Sequence, residues 1–526
     1  MQRKMTYLQR AEEEEIKEGG ITIDLDEIGK KGPLAKNETT LAKWHGIYKS
    51  RQAGNHLMRL VTTAGVISSS QVRNIARTAE KYGQGVINIT TRQAIQLHWV
   101  KVNNLADVIR ELAEEGTTTK HGAGDVNRIV ASCPLAETCK FRRFDVRPYA
   151  LKTQKYIRDA KDLEDLPRKF KISFSGCPAA CAQPSINCIG FVAVQRERLG
   201  KVEKGFKVYT GGGLASTPFI APELFSFIPL DLTLPVARAI TLAYRDHGDR
   251  YNRSTARWRV AVDLHGIEQV RIWVLGYLKE EGFPTEGLET LSFQETGLVA
   301  PDRPLAQAEA LHAGRGSIVR VLVPKGEMTH LQFLQLAELS EIYGDQKIYT
   351  TNRQNVEFHG VEFPKVEELR GEIKKIGLGT DGFYGLRDMV PCVGTTYCPK
   401  AVAETRALYD LLLPLVSLPK YAAIDQKALI NMCGCPNSCS PYRIADLGFR
   451  GMRIREDLGS VEGFEMTIGG DLWQFGLKLG EFKMNDLPSV VETVLDTFLE
   501  LRQGEETLAQ SVTRLGVQPF IARVFQ

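Results

Sequence analysis

Alternating hydrophobic and polar positions near the start of the chain predict a small module of strands and helices. Leu57–Thr63 is typical of a strand, and Ser68–Ser70 offers an N-cap for a helix that ends near Gly83. The alternation across Gly85–Val100 predicts one further strand, and Leu105–Glu114 has the spacing of a second helix. The apolar positions that define the first helix are Val72, Ile75, Ala76 and Ala79.

The same order of elements recurs in the second part of the chain. The pattern predicts strands over Ile318–Pro324 and Lys347–His359, and helices over Leu331–Tyr343 and Val366–Ile376. A strand, a helix, a strand and a second helix are typical of half of a ferredoxin-like α+β unit. We therefore expect two such half-domains that pair as one domain.

Single residues also recur, at a spacing of 258 to 261 positions. A constant spacing over so long a span indicates that the chain contains two copies of a unit of about 260 residues. Gly282–Arg303, rich in Pro, Gly and Thr, is the expected connector between a first copy (residues 41–300) and a second copy (residues 301–526). The recurring pairs include Arg59 and Arg320, Gly65 and Gly326, Tyr82 and Tyr343, Arg92 and Arg353, His98 and His359, and Arg128 and Arg387.

The duplication predicts an α+β fold with five segments. An N-terminal extension is followed, in each copy, by a ferredoxin-like half-domain and a larger α+β domain that carries cysteines on its loops. The expected bounds are 1–40 for the extension, 41–118 and 301–380 for the half-domains, and 119–300 and 381–526 for the larger domains.

Composition and charge narrow the class of protein. The chain has 526 residues, 43% of them hydrophobic and 25% charged, which is close to the globular average. A net charge of +4 is too balanced to suggest nucleic-acid binding. Glu12–Glu15 make the N-terminus unlike a signal peptide, and the most apolar segments contain Asp231, Arg238 or Asp496, so we expect no membrane span and a cytoplasmic location.

Eight of the ten cysteines form one pattern that occurs twice. In each copy, two cysteines separated by five residues are followed by two cysteines separated by three. Four thiolates on two loops suit a [4Fe–4S] cluster, in which each iron takes one cysteine sulfur. Structural zinc is the alternative, but zinc sites favour shorter spacers than five residues. The predicted ligand sets are Cys133, Cys139, Cys177 and Cys181 in the first copy, and Cys392, Cys398, Cys435 and Cys439 in the second.

Basic residues recur at fixed distances from these cysteines. In a strand, Lys169 and Lys171 would point to one face, and two adjacent ammonium groups need an anion or solvent between them. The second copy keeps Lys427 in place of Lys169 but has Leu429 in place of Lys171, so the two predicted anion sites are not equivalent. The other recurring cations are Arg59, Arg92 and Arg128 in the first copy, and Arg320, Arg353 and Arg387 in the second.

These motifs together resemble the sirohaem-dependent sulfite and nitrite reductases over nearly all of residues 41–515. The resemblance implies that sirohaem lies between the two copies, that its iron shares a cysteine thiolate with the adjacent cluster, and that six electrons reduce sulfite to sulfide or nitrite to ammonia. The matching stretches are Thr90-Thr91-Arg92-Gln93, Thr351-Asn352-Arg353-Gln354, Leu166-Pro167-Arg168-Lys169-Phe170-Lys171 and Gly434-Cys435-Pro436-Asn437-Ser438-Cys439.

The resemblance also assigns roles to single residues. Cys439 would be the thiolate shared with sirohaem. Arg59, Arg128, Lys169 and Lys171 would line the substrate pocket served by the second-copy cluster, where cations bind the anion and favour S–O or N–O cleavage. Arg92 would mainly contact the sirohaem carboxylates, which arginine suits. The other residues expected to bind cofactor are Gln93, Asn437, Arg320, Arg353, Arg387 and Lys427.

One departure from the family pattern concerns the number of cofactors. In the familiar single-site members only the C-terminal unit keeps the cluster cysteines, whereas here both copies keep them, as in a fusion of the two subunits of dissimilatory sulfite reductases. We therefore expect two clusters, with either one sirohaem or two. Leu429 removes one cation from the second site, which is then expected to be structural or an electron relay.

The substrate and the electron donor are predicted from the same residues. Lys169-Phe170-Lys171 matches the Lys-x-Lys of sulfite reductases, whereas plant-type nitrite reductases typically show Lys-x-Asn, so sulfite is the expected substrate. Gly377-x-Gly379-x-x-Gly382 follows a helix and is interpreted as a loop, and no phosphate-binding or flavin motif is evident. Electrons must then come from another protein, such as ferredoxin or a flavoprotein. A two-cluster electron-transfer protein without substrate chemistry is the alternative from another class.

Three further residues are expected to play supporting parts. Cys433, two positions before a predicted ligand, is expected to be a packed or hydrogen-bonding neighbour of the cluster cysteines. His98 and His359 follow the recurring arginine motifs and are expected to be core or carboxylate-bonding residues rather than haem ligands.

Overall fold

The computed structural model describes residues 16–17, 20–301, 303, 316–457 and 459–526. The acidic run Glu12–Glu15 lies outside this part of the chain, as do residues 302 and 304–315 of the predicted segment 301–380. Within the predicted extension, Asp24 caps the helix Leu25–Lys31 by accepting a hydrogen bond from the Glu27 amide. The bounds of the five segments stay a prediction.

The first half-domain is a sheet covered by two helices. Ser68 and Gln71 form a capping box that starts the first helix, as the Ser68–Ser70 motif predicted. Its elements are β1 (Ile47–Lys49), β2 (Asn55–Leu60), β3 (Val66–Ser68), the helix Ser69–Tyr82, β4 (Val86–Ile89), β5 (Ile95–Lys101) and the helix Leu105–Ala113.

The first large domain follows as a five-stranded mixed sheet in the order β10-β9-β8-β7-β6. Strands β6, β7 and β8 are parallel and the others antiparallel. Its elements are β6 (Ala131–Ser132), the helix Arg147–Asp159, β7 (Ile172–Ser175), β8 (Ile189–Arg198), β9 (Lys201–Thr210), β10 (Glu223–Pro229) and the helices Thr233–His247 and Trp258–Glu280.

The second copy repeats both parts. Its large sheet has the order β15-β16-β17-β18-β19, with the same parallel and antiparallel pairs. Its elements are β11 (Ser317–Val321), β12 (Glu327–Thr329), the helix His330–Tyr343, β13 (Lys347–Thr350), β14 (Val356–Val361), the helix Val366–Lys375, β15 (Val390–Pro391), the helices Gly394–Tyr397 and Thr405–Val416, β16 (Ile430–Cys433), β17 (Leu447–Glu456), β18 (Gly459–Ile468), β19 (Leu477–Lys483) and the helices Leu487–Leu501, Leu508–Leu515 and Gln518–Val524.

Two predicted strands were wrong in the same way. Gly85–Val100 and Lys347–His359 are each two antiparallel strands joined by a tight turn. The turn falls on the recurring arginine motif, where Gln93 has φ of 60° and Gln354 has φ of 63°. Side-chain alternation continues through these polar residues, so periodicity alone does not reveal the reversal.

The two half-domains exchange strands. β12 of the second copy pairs with β4 of the first, and β3 of the first copy pairs with β13 of the second. One hydrophobic core runs through both halves, from Met58 and Ile75 to Phe333 and Leu336. This arrangement confirms the α+β fold with two ferredoxin-like half-domains that pair as one domain.

Gly65 marks the closest approach of the two halves. It has φ of 74°, and a Cβ built there would lie 2.3 Å from the Thr350 carbonyl oxygen. Thr350 Oγ1 in turn donates to the Gly65 carbonyl at 3.2 Å. A side chain at this position would therefore be strained and would push the two sheets apart.

The residues described here include no single helix with the length and apolar character of a membrane span. One sharply bent pair, Thr405–Val416 with Pro419–Lys427, meets both criteria jointly. Leu408 and Leu412 of this pair are buried in the core of the second large domain.

Candidate functional site

The sheet topology brings the cysteine loops together. Cys133 follows β6 and Cys177 follows β7, and these neighbouring strands are parallel. Cys392 follows β15 and Cys435 is in the loop after β16, again a parallel pair. Because parallel strands end at the same edge of a sheet, each copy presents two cysteine loops side by side.

The four first-copy cysteines line one cavity. Its wall also includes Leu135, Ala136, Arg142 and Gly176. Within it the thiols form two hydrogen-bonded pairs, and the bond from Cys177 contributes most to lowering the pKa of Cys139, to about 7. A shared cavity lined by four thiols fits a [4Fe–4S] cluster. The pairs are Cys133 with Cys181 and Cys139 with Cys177.

Two of the second-copy cysteines, Cys392 and Cys435, accept hydrogen bonds that favour the thiolate, whereas burial raises the pKa of Cys398 and that of Cys439. The Cys392 sulfur accepts hydrogen bonds from the Gly434 amide at 3.2 Å and the Gly394 amide at 3.4 Å. Cys433 bonds to Cys435 and, with Asn437, lowers the pKa of that thiol to about 6. Cys433 is therefore the hydrogen-bonding neighbour that its position predicted.

The donor arrangement bears on the zinc alternative. Over the described ranges, no three His, Cys, Asp or Glu side chains gather around a point that one metal ion could occupy. In the first copy the four cysteines instead line one cavity between two loops. This favours a cluster of several irons over a single zinc ion.

Each set of cysteines faces the other copy of the chain. Thr91 of the first copy donates to the Cys439 carbonyl at 2.8 Å, and Asn352 of the second copy donates to the Cys181 carbonyl at 2.8 Å. Arg51 also bonds to the Cys398 carbonyl at 3.2 Å. The first-copy basic residues therefore lie beside the second-copy cysteines.

Lys169 and Lys171 flank the fully buried Phe170 and lie on one side of the chain. Phe170 bridges to Asn127, which extends the β7 edge as far as the lysines. Burial, followed by the nearby charges of Arg92 and Arg257, lowers the pKa of Lys171 to about 7. Burial, Arg257 and Lys171 lower the pKa of Lys169 as well. The two ammonium groups are thus near enough to repel each other, and both side chains are half-buried.

Arg59 and Arg128 meet at Tyr48. The Arg59 guanidinium lies 5.2 Å from the centre of the Tyr48 ring, and Arg128 Nη1 donates to the Tyr48 hydroxyl at 3.1 Å. Burial raises the pKa of Tyr48, but Arg128 and Arg59 together outweigh it and bring that pKa down to about 8. Their other partners are carbonyl oxygens, Gly122 for Arg59 at 3.3 Å and Gly124 for Arg128 at 2.9 Å.

Arg92 is held by hydrogen bonds from its two terminal nitrogens. Its Nη1 donates to Asn187 Oδ1 at 2.6 Å and its Nη2 to the Ile129 carbonyl at 2.7 Å. Its buried Nε has no hydrogen-bond partner. Burial lowers the pKa of Arg92 to about 10, so the cation lacks a local counterion.

Two arginines that the sequence did not single out for this site complete it. Arg257 and Arg259 flank Trp258 at the start of the long helix, and Arg257 Nη2 lies 3.8 Å from Cys188 Sγ. Arg257 Nε and Arg259 Nη1 are buried without partners. The only available signal was the Arg-x-Arg pattern, which is common on protein surfaces.

The other predicted cofactor residues lie in different surroundings. Gln93 is fully buried between the half-domains, where its amide donates to the Thr350 carbonyl and accepts from the Ser132 amide, rather than in the pocket. Asn437 lies on the surface beside Cys435. The four second-copy cations are ion-paired: Arg320 with Glu357 at 2.9 Å, Arg353 with Asp388 at 2.6 Å, Arg387 with Asp381 at 3.3 Å and Lys427 with Glu505 at 2.6 Å.

The first-copy cations have no such partners. Within the described part of the chain, no Asp or Glu forms an ion pair with Arg59, Arg92, Arg128, Lys169 or Lys171. Half-buried cations without counterions, together with buried guanidinium nitrogens that have no hydrogen-bond partner, favour a ligand with several negative charges. A polycarboxylate such as sirohaem, together with an anionic substrate, fits this requirement.

The two histidines take the two roles expected for them. His98 is fully buried and stacks on Tyr397, with ring centres 4.0 Å apart. His359 stacks on Tyr349 and lies 3.2 Å from a Glu357 carboxylate oxygen.

Comparison with known proteins identifies both kinds of domain. Residues 123–281 and 384–526 match the family described as "Nitrite and sulphite reductase 4Fe-4S domain". Residues 48–115 and 310–376 match the "Nitrite/Sulfite reductase ferredoxin-like half domain". The matches cover most of the chain and occur once in each copy.

Some of the proteins that are similar to this chain are named as nitrite reductases, and others as sulfite reductases. An assimilatory ferredoxin-dependent nitrite reductase of Haloferax mediterranei is 29% identical over 91% of this chain and 85% of its own length. A sulfite reductase [ferredoxin] of Mycobacterium tuberculosis is 27% identical over 95% of this chain and 94% of its own length. The solved structure of the NirA protein of Mycobacterium tuberculosis superposes with a TM-score of 0.86, at 26% identity over 97% of both chains.

The family match also identifies the cofactors. The family match implies sirohaem and a [4Fe–4S] cluster, and the thiols and unpaired cations described above provide for both. The chain belongs to the nitrite and sulphite reductase family.

Proposed function

We propose that this enzyme reduces sulfite to sulfide, with reduction of nitrite to ammonia as the alternative. The observation that carries the proposal is the pair Lys169 and Lys171 on one side of a buried strand edge, with Arg59 and Arg128 in the same first-copy group of unpaired cations. Near neutral pH a substantial part of sulfite is a dianion, whereas nitrite is a monoanion. An additional cation in a water-poor pocket therefore favours sulfite.

The reaction consumes protons as well as electrons. Sulfite with six electrons and seven protons gives hydrosulfide and three water molecules, so every S–O bond that breaks needs protons for the departing oxygen. Lys171, whose pKa is about 7, can hold and release a proton at its Nζ near neutral pH. Arg59 and Arg128 would hold the anion through their guanidinium groups.

The cofactor residues divide into two groups. The sirohaem and its coupled cluster, when bound, supply a redox-active iron and electrons one at a time. Arg92, Arg257 and Arg259 would hold sirohaem carboxylates, since each has a buried nitrogen without a partner. Cys392, Cys398, Cys435 and Cys439 would hold the coupled cluster.

A second cluster is part of the proposal. The first-copy thiols of Cys133, Cys139, Cys177 and Cys181 surround one cavity, as a [4Fe–4S] cluster requires. Ferredoxin is the proposed donor, because several relatives are named for it. We also propose a cytoplasmic location, where eight cysteines stay reduced for iron binding.

An absorption spectrum, combined with product analysis, tests this function. The proposal predicts a Soret band and a red-shifted visible band in the purified protein, and hydrosulfide release when sulfite and reduced methyl viologen are added. A spectrum with only the broad absorption of iron–sulfur clusters, and no hydrosulfide, would instead support the two-cluster electron-transfer protein.

A further inference from the structure

The two copies differ in how the cations beside their predicted cofactor sites are neutralised. Each second-copy cation predicted to bind cofactor has a carboxylate counterion, whereas its first-copy equivalent has none among the residues that the structure describes. We infer that the first-copy cysteines hold a cluster without a haem partner, so the chain binds two clusters and one sirohaem. This inference rests on the proposed function, because it presumes that the first-copy cations hold sirohaem.

The clearest difference lies at paired strand positions. Arg59 on β2 is in register with Gln96 on β5, and Arg320 on β11 is in register with Glu357 on β14. With its oxygen facing Arg59, the Gln96 amide accepts from Nε at 3.0 Å and Nη2 at 2.7 Å. Gln96 therefore leaves the charge of Arg59 uncompensated, whereas Glu357 cancels the charge of Arg320.

A second difference lies at the next recurring arginine, which is Arg92 in the first copy and Arg353 in the second. Arg92 donates to the backbone carbonyl of Ile129, and Arg353 donates to the backbone carbonyl of Asp388. The backbone contact is the same in both copies, but only Asp388 adds a carboxylate, 2.6 Å from Arg353 Nε. In the first copy the equivalent Nε of Arg92 has no partner.

A third difference between the two sites is an additional carboxylate in the second copy. Asp446 occupies the position of Cys188, 258 residues on. Its carboxylate accepts from the Leu429 amide at 2.8 Å and from Arg303 Nη2 at 2.6 Å. It also accepts from the Ala509 amide at 2.9 Å. In the first copy, by contrast, this position offers no carboxylate, and the Cys188 sulfur lies 3.8 Å from Arg257 Nη2.

The arginines of the long helix have no second-copy equivalents. Val262 packs on Gly211 and Val512 packs on Gly469, which aligns the two helices. By this alignment Thr507 and Ala509 stand where the first copy has Arg257 and Arg259. The second site thus lacks the equivalents of three first-site cations, counting Leu429 in place of Lys171, and Arg303, which lies there instead, is paired with Asp446.

This charge balance excludes a polycarboxylate ligand. Tyr384 further covers the second-copy cations, with its ring centre 5.0 Å from the Arg320 guanidinium and 5.8 Å from that of Arg353. A sirohaem placed there would bring its carboxylates against Glu357, Asp388 and Asp446, and like charges in a buried site repel strongly. A cluster beside this site passes electrons singly and acts as a relay or store.

Cofactor counting on the purified wild-type holoenzyme tests the inference first. We expect about eight acid-labile sulfides and one extractable sirohaem per chain, since each cluster holds four sulfides. Two sirohaems per chain would overturn the inference while leaving the proposed function intact. Only four sulfides would overturn the inference together with the proposed second cluster, while leaving the proposed reduction of sulfite intact. Both clusters with no sirohaem would overturn the proposed function together with the inference.

Substitutions that introduce the second-copy carboxylates into the first copy test whether these charges prevent sirohaem binding. Gln96→Glu and Ile129→Asp place carboxylates beside Arg59 and Arg92, and each should lower the extracted sirohaem per chain at least fivefold. The neutral controls Gln96→Met and Ile129→Asn should keep most of it, with sulfide content unchanged in all four variants. Full sirohaem loading in both acidic variants would contradict the inference, and the wild-type count decides independently if a variant fails to fold.

Discussion

Arg353 Nε lies 2.6 Å from Asp388 Oδ2, whereas the equivalent Arg92 Nε has no partner at all. The two arginines occupy the same turn in the two copies and make the same backbone contact. At this turn, a single carboxylate neutralises the arginine of the second copy, whereas the charge of the first-copy arginine is left uncompensated. The first-copy cations are left to bind anions, which is what a sulfite or nitrite reductase requires.

Lys171 is expected to set the preference between the two substrates. Lys171→Asn should shift the ratio of kcat/KM values toward nitrite by about 1–3 kcal/mol, on the order of tenfold to a hundredfold, because the dianion loses more than the monoanion. Steady-state kinetics with reduced methyl viologen measure this ratio. Lys201→Asn, on an exposed hairpin, is the matched control and should leave the ratio unmoved. A ratio equally unmoved by Lys171→Asn would refute this role.

The two cysteine sets should differ in importance. Cys439→Ser removes the thiolate that the family resemblance places between cluster and sirohaem, and should abolish turnover. Cys181→Ser disturbs the cluster beside the neutralised cations Arg320 and Arg353, and should cost less. Activity is compared in folded variants of known sirohaem content. Equal losses in the two variants would contradict the asymmetry between the copies.

Gly65 should be indispensable to the pairing of the half-domains. Gly65→Ala forces an alanine to φ of 74° and places its Cβ 2.3 Å from the Thr350 oxygen. Gly54→Ala has nearly the same strain, at φ of 75°, but no atom within 4 Å. Both should lose roughly 1–2 kcal/mol from the backbone, and Gly65→Ala about 1–3 kcal/mol more from the clash. Thermal unfolding of the two variants compares them, and equal Tm values would show that the close contact is unimportant.

His98 should make the protein less stable in mild acid. Burial, followed by the charges of Arg406 and Arg59, lowers its pKa from the ordinary 6.5 to about 3. Below pH 6.5 the unfolded chain therefore binds a proton that the folded chain refuses, and the free energy of unfolding falls. At pH 5 the loss is about 2 kcal/mol.

The variant His98→Phe removes this group while keeping a ring against Tyr397. Between pH 7.5 and pH 5, the apparent Tm of the wild type should fall further than that of His98→Phe. The exposed His265 provides the control, since His265→Phe should behave like the wild type. An identical fall in the wild type and His98→Phe would exclude His98 as the source of acid sensitivity.

The sequence predicted the features that depend on spacing and repetition. The duplication, the α+β class, the paired half-domains and the loops with Cys133 and Cys392 follow from residue positions alone. The exchange of β3 and β12 could not be predicted, because short strands carry little periodicity and their partners are distant in sequence. The tight turn at Gln93 was also missed, because polar residues continue the alternation through it.

Only part of the charge difference between the two sites could be predicted from the sequence. Leu429 in place of Lys171 could be read from the sequence. Glu357 and Asp388 could not be recognised as counterions, because ion pairing depends on strand register and on a turn that brings distant residues within 3 Å. Arg257 and Arg259 lie more than 80 residues from Lys171 in sequence, and only the fold brings them to one pocket.

The most direct test of this account is a side-by-side measurement of kcat/KM for sulfite and for nitrite. It uses the purified holoenzyme with reduced methyl viologen as donor. The account predicts a higher kcat/KM for sulfite, with hydrosulfide as the product, because unpaired Lys169 and Lys171 favour a dianion. A higher kcat/KM for nitrite, with ammonia as the product, would contradict it.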